Sequence, residues 1–237
     1  MRIKEIFVAA RPGFEQRPSA LILLTVLVLT PFFYWLRADS IGVSSHTRAW
    51  TILTGSELNH ITHNVASAIV LGLLPLLVAR FCLGLGFRDM GMGLGRWKRG
   101  LLWVGIGVPV AILAGWVSAA KPEMRAVYPL NPGLVSGQAS FVNHALIQLL
   151  YYGSWEILFR GVLLRGLTPR LGFATANMIQ MALSVLAHFG RPGTETLSAI
   201  PAGLAFGGIA HQTKSVWYVI LIHWAVGTAQ DAFIMCG

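Results

Sequence analysis

The stretch SWEILFRG, residues 154–161, sets Glu156 and Arg160 four positions apart inside an apolar run. On a helix, residues i and i+4 lie about 40° apart around the axis, near enough to pair. An ionisable side chain at membrane depth costs about 2.5–3.5 kcal/mol on insertion scales, so such residues face a protein interior or a water cavity and mark function. Pairing lowers the cost of bringing both charges in. The weight of this reading depends on whether the run lies in a bilayer. Of the 237 residues, 55% are hydrophobic and 11% charged, with a mean hydropathy of +0.64. Average soluble domains carry about 25% charged residues. The composition therefore points to an all-α fold, a polytopic transmembrane helical bundle.

A bilayer core about 30 Å thick takes roughly 20 apolar residues per helix. Seven stretches qualify, at about 19–36, 61–81, 99–118, 140–153 with an extension to about 167, 172–189, 197–211 and 215–236, and six or eight spans remain open alternatives. The net charge of +9 is scattered through short loops rather than gathered on one face, which argues against nucleic acid. Arg2, Lys4, Arg11 and Arg17 precede the first run, Arg80, Arg88, Arg96, Lys98 and Arg99 follow the second, Arg165 and Arg170 follow the fourth, and Lys214 follows the sixth. The positive-inside rule then places these ends, and the N-terminus, in the cytoplasm. The first run is long and lacks a small-residue cleavage site, so it is expected to stay as an anchor. Cys82 and Cys236 have no paired spacing and read as apolar filler.

The expected organisation is a cytoplasmic segment 1–18, scaffold spans 19–139 and a catalytic core 140–237. The glycine-rich loop GLGFRDMGMGLGRWKRG, residues 84–100, has no preceding strand and no Gly-Lys-Ser/Thr, so it reads as a flexible basic loop at the headgroups rather than a phosphate loop. His60, His63 and Asn64 share one side of a helix start; a metal site is conceivable, and a water-facing helix end is the preferred reading. The prolines and glycines of 121–138 divide the chain. Ala199, Gly203 and Gly207 recur every four residues, the small-xxx-small pattern of close helix packing, and a thin helix there would leave room beside a cleft.

The second half holds Glu156, Arg160, His188, His223 and Asp231 within apolar runs, with Glu195 just beyond His188. At about 1.5 Å per residue from the cytoplasmic ends, Glu156 lies about 18 Å deep, His188 about 24 Å and His223 about 12 Å. Helix tilt and side-chain reach are needed to bring them to one level. A carboxylate and an imidazole around one water can take its proton and direct the hydroxide at a carbonyl, while a second imidazole holds the oxyanion. This chemistry suits peptide-bond hydrolysis. No Gly-x-Ser-x-Gly or His-Glu-x-x-His stretch is present, and nothing marks Ser154 as a nucleophile.

At these residues the sequence resembles the CPBP family of intramembrane proteases, also called the Abi or CAAX-protease family. The family's Glu-Glu-x-x-x-Arg motif, usually followed by Gly, appears as WEILFRG, with Glu156, Arg160 and Gly161 in place. Its Phe-x-x-x-His motif appears as SVLAH ending at His188, and its His-x-x-x-Asn motif as HWAVG starting at His223. The resemblance spans about 140–235 and includes a glycine-rich penultimate run and a Ser-x-Trp lead-in to the last. Trp155, Ser184 and Gly227 depart from the pattern, replacing the first glutamate, the phenylalanine and the asparagine. Some bacterial branches look similar, with Trp-Glu in the first motif, and Arg191, Pro192, Glu195 and Asp231 fit that variant. Glu156 is then the general base, or Glu195 supplies the missing carboxylate.

The resemblance implies an intramembrane endopeptidase acting on a membrane-associated protein or a lipidated peptide, in a bacterial cytoplasmic membrane. Catalytic roles fall to Glu156, Arg160, His188 and His223, with Trp155, Glu195 and Asp231 as accessory residues. No cofactor is required by the pattern; a divalent metal such as zinc on His188, His223 and a carboxylate is an open alternative. Two other classes stay in view. One is a non-catalytic member of the fold that binds or chaperones membrane partners; the other is a small transporter, for which no inverted repeat is seen.

Overall fold

The computed structural model describes residues 17–31 and 56–237, and every described element is helical. The N-terminal residues to 16, the end of the first predicted span beyond 31 and the loop to 55 lie outside the described residues. The described chain opens with α1 (Arg17–Pro31). A second helix runs through α2 (Ser56–Ser67), a π-helical stretch (Ala68–Leu73) and α3 (Leu74–Phe81). After a loop come α4 (Trp97–Ala119), the short turns α5 (Pro122–Arg125) and α6 (Pro132–Val135), and α7 (Phe141–Glu156). A second π-helical stretch (Ile157–Leu164) carries α7 into α8 (Arg165–Leu186); α9 (Gly193–Thr213) and α10 (Trp217–Cys236) complete the fold.

Three of these helices, His60–Phe81, Trp97–Ala119 and Trp217–Cys236, are long and apolar enough to cross a membrane. The outer face of α4 supports that environment: Leu101, Leu102, Val110, Leu113 and Trp116 are all more than half exposed. An apolar surface of this kind is unfavourable against water and suits lipid.

The helix at the centre is apolar over 158–167 except for Arg160 and Arg165, and it is buried over most of that stretch. Leu158, Phe159, Val162, Leu163, Leu164 and Leu167 are each 0% exposed and pack against Leu21, Leu71, Ala79, Leu85 and Met90. It therefore has no lipid face over this stretch. Two turns beyond it, Gly172 breaks α8 with φ +75°, a backbone angle that glycine adopts without strain.

On the other side α10 packs along α4, where Gly100, Gly107 and Gly115 let the helices close up. A Cβ on Gly115 would stand 2.7 Å from the Gln230 amide nitrogen, and one on Gly107 would stand 2.6 Å from Ile222. Ala111, Phe206, Ile209, Ala210, Val219 and Ile222 fill the space between α4, α9 and α10.

Two expectations change here. The glycine-rich loop is built into the fold rather than left flexible. Its Met90 is fully buried, Val216 N–H donates to Gly91 C=O (3.1 Å), the Trp217 indole to Met92 C=O (2.9 Å) and the Tyr218 hydroxyl to Leu94 C=O (2.8 Å). The physical reason is backbone polar supply: a loop exposing several carbonyls satisfies the donors at the start of α10. Cys236, read as filler, is exposed at the end of α10.

Candidate active site

Residues on α7 recur at four-residue steps, His144, Gln148, Tyr152 and Glu156, and the series continues to Arg160 in the π-helical stretch. They form one polar seam on an otherwise apolar helix. The facing residues on α10 run the opposite way, from His223 through Gly227 to Asp231.

Glu156 is the hub. Its Oε1 accepts from Arg160 at 3.1 Å and from His223 Nδ1 at 2.6 Å, with Glu156 0% and Arg160 2% exposed. The 6 Å depth difference expected from helical rise is thus closed in the fold. Glu156 Oε2 and Arg160 Nε are buried without a partner among the described residues. Phe206 covers the group, 5.6 Å from the Arg160 guanidinium and 5.3 Å from the His223 ring.

The hydrogen bonds decide the tautomers. An ionised carboxylate oxygen only accepts, so His223 Nδ1 carries the hydrogen and leaves Nε2 as a lone pair when the ring is neutral. His188 follows the same logic. Its Nδ1 donates to the Ser184 carbonyl at 2.7 Å, one helical turn back, so its Nε2 also presents a lone pair.

His188 stands edge-on to Trp155, ring centroids 5.2 Å apart, and Trp155 is 2% exposed and packs on Phe159 at 4.9 Å. The two imidazoles therefore meet consecutive residues of α7, His188 at Trp155 and His223 at Glu156. Trp155 presents an apolar ring to His188, and Glu156 is the carboxylate that meets a histidine. Ser154 spends its hydroxyl on the Tyr151 carbonyl (2.8 Å), which leaves it no feature of a nucleophile.

Glu195 and Asp231 are engaged elsewhere. Glu195 accepts from the Tyr128 hydroxyl at 2.7 Å, and Arg191 lies over the Tyr128 ring at 5.6 Å. Burial, with Glu195 adding to it, pushes the Tyr128 phenol above its ordinary range. Asp231 accepts from His144 Nε2 (2.8 Å) and Gln148 (3.0 Å), and His144 Nδ1 bonds His60 Nε2 (3.1 Å).

That network corrects the water-facing reading of His60, His63 and Asn64. His60 is 8% and Asn64 2% exposed, and Asn64 donates to the His60 carbonyl at 2.8 Å. Their burial depends on His144, 84 residues later, which nothing near His60 in the chain announces. His144, Gln148 and Tyr152 were missed by sequence reasoning, although their four-residue spacing from Glu156 was available as a signal.

A metal does not fit the donors well. Among the described residues no three His, Cys, Asp or Glu side chains converge on one point. Glu156 is already committed to Arg160 and His223, so the described residues supply no third ligand for the two imidazoles.

Residues 138–229 match the family model described as Rce1-like, type II CAAX prenyl endopeptidase Rce1-like. The Rce1-like segment contains Glu156, Arg160, His188, His223 and Gly227, and it stops short of Asp231. That family is one of membrane peptidases. No curated protein and no solved structure matches the chain.

Proposed function

We propose that this protein is an intramembrane endopeptidase that hydrolyses a peptide bond in a membrane-associated protein or a lipidated peptide. The observation that carries this reading is the Glu156–His223 hydrogen bond, which aims an imidazole lone pair away from a buried, arginine-paired carboxylate. In this mechanism His223 Nε2 takes a proton from water as the water oxygen bonds the carbonyl carbon, and the carbonyl electrons move onto oxygen. Collapse breaks the C–N bond, and His223 returns the proton to the leaving amine. Glu156 holds the ring and balances the imidazolium, and Arg160 fixes Glu156. His188 Nε2 accepts the second hydrogen of the water and orients it.

The working arrangement is a catalytic core over 140–237 resting on scaffold spans within 19–139. Seven spans, a cytoplasmic N-terminus and a bacterial cytoplasmic membrane complete the proposal. A second reading, a non-catalytic partner-binding protein, is favoured by Trp155, whose apolar ring stands against His188.

Cleavage of a quenched fluorescent peptide library, with prenylated and plain peptides, separates the two. Purified wild type in detergent should cleave, and Glu156→Gln and His223→Ala should lose at least about a hundredfold in kcat. A chelator should leave the rate unchanged. Equal cleavage by wild type and both variants would refute the proposal, and no cleavage by folded wild type would favour the partner-binding reading.

A further inference from the structure

The tautomers at the site leave the chemistry one group short. When neutral, as a general base must be, both imidazoles spend their N–H on fixed acceptors, His223 on Glu156 and His188 on Ser184. Each therefore offers a lone pair, and neither offers a hydrogen to the oxygen on which negative charge develops. Arg160 is committed to Glu156, and its Nε is sealed from solvent.

Tyr152 stands where such a donor is needed. It lies one turn before Glu156 on the same face of α7, half-buried, with its ring 4.8 Å from the His223 ring and edge-on to Tyr151 at 5.6 Å. On α10 the matching step from His223 leads to Gly227. A Cβ built there would collide with the Tyr152 hydroxyl, so the phenol fills the volume that a side chain at 227 would take. The hydroxyl makes no hydrogen bond to a described residue, although its ring is wedged between two helices. A phenol held this firmly fixes the position of its oxygen, and with no acceptor among the described residues its O–H is free to turn to an arriving carbonyl oxygen.

We propose that the Tyr152 hydroxyl donates to the scissile carbonyl oxygen and to the oxyanion it becomes, and that Gly227 is glycine because Tyr152 occupies its side-chain space. This rests on the peptidase reading above. No bond to Tyr152 forms or breaks; its O–H stays covalent throughout and the proton in transit belongs to His223. The glycine and the tyrosine are one device: α10 leaves the space open and the donor from α7 fills it.

The test compares four proteins on the best-cleaved peptide of the library: wild type, Tyr152→Phe, Tyr152→Ala and Tyr152→Ala with Gly227→Asn. Tyr152→Phe keeps the ring and removes only the donor. It should lower kcat about 10²–10³-fold, the range for loss of one oxyanion donor, with KM and melting temperature near wild type. Tyr152→Ala with Gly227→Asn, which places an amide donor on α10 in the space the phenol vacates, should be at least tenfold faster than Tyr152→Ala alone. A kcat for Tyr152→Phe within twofold of wild type would overturn the donor and leave the peptidase reading standing. A loss confined to KM, or a double variant no faster than Tyr152→Ala, would overturn it too. Wild type that cleaves nothing would overturn both.

Discussion

Glu156 and Arg160 are buried together, and each keeps one polar atom without a partner among the described residues. Removing one member of such a pair leaves the other as an uncompensated charge, at a cost of about 3–5 kcal/mol. Replacing both by neutral groups of similar size removes that penalty. Glu156→Gln alone should therefore lower the melting temperature in detergent, and Glu156→Gln with Arg160→Met should recover most of the loss while staying inactive. A single variant as heat-stable as wild type would show that the charges are already well solvated. This pair of measurements also guards the activity assay, because it separates a loss of activity from a loss of fold. Two charges enter an apolar helix because each cancels the other and His223 completes the group.

Between elements, the small-residue stripe of α9 shows how far a pattern can be read. Ala199, Gly203 and Gly207 are buried as close packing requires, and the space beside Gly203 and Gly207 is filled. Asn177 and Gln180 of α8 occupy the groove, donating to the carbonyls of Leu204 (3.1 Å) and Gly203 (2.9 Å). A Cβ on Gly207 would overlap the Asn177 amide, whereas one on Gly208 would meet nothing within 4 Å. Overpacking costs about 1–3 kcal/mol, while Gly→Ala in a free helix position gains up to about 1 kcal/mol. Gly207→Ala should thus lower the melting temperature and Gly208→Ala should hold or raise it; a reversal of that order would overturn the α8–α9 packing. Apolar runs made helices legible, and the small residues marked a close contact. What lies across the contact was not legible, since Asn177 and Gln180 interrupt an apolar run without a spacing of their own. The same limit hid Tyr152: an aromatic ring in an apolar helix reads as filler until Gly227 is placed beside it. Helical rise put Glu156 and His223 at different depths because it carries no tilt.

At the scale of the molecule, polar contacts tie distant parts of the chain at two levels. His60 of α2, His144 of α7 and Asp231 of α10 form one chain of hydrogen bonds, and Glu156 with His223 forms the other. Both are completed by the last helix. The central helix, enclosed over 158–167, carries just before that stretch a carboxylate whose second partner lies 67 residues further along the chain. At about 5–20 residues per second of synthesis, that is a wait of roughly 3–13 s. A chain ending at Lys214 lacks α10 and with it both completing residues. Followed by pulse-chase in the membrane, it should be degraded several times faster than the full chain; equal half-lives would show that the earlier helices hold the centre by themselves. The late arrival of α10 is thus also a clock. Leu21, Leu71, Ala79, Leu85 and Met90 can already enclose the central helix, but for the seconds before α10 arrives Glu156 has only Arg160 as a partner, and the cell's quality control inspects the nascent chain with that carboxylate half-matched.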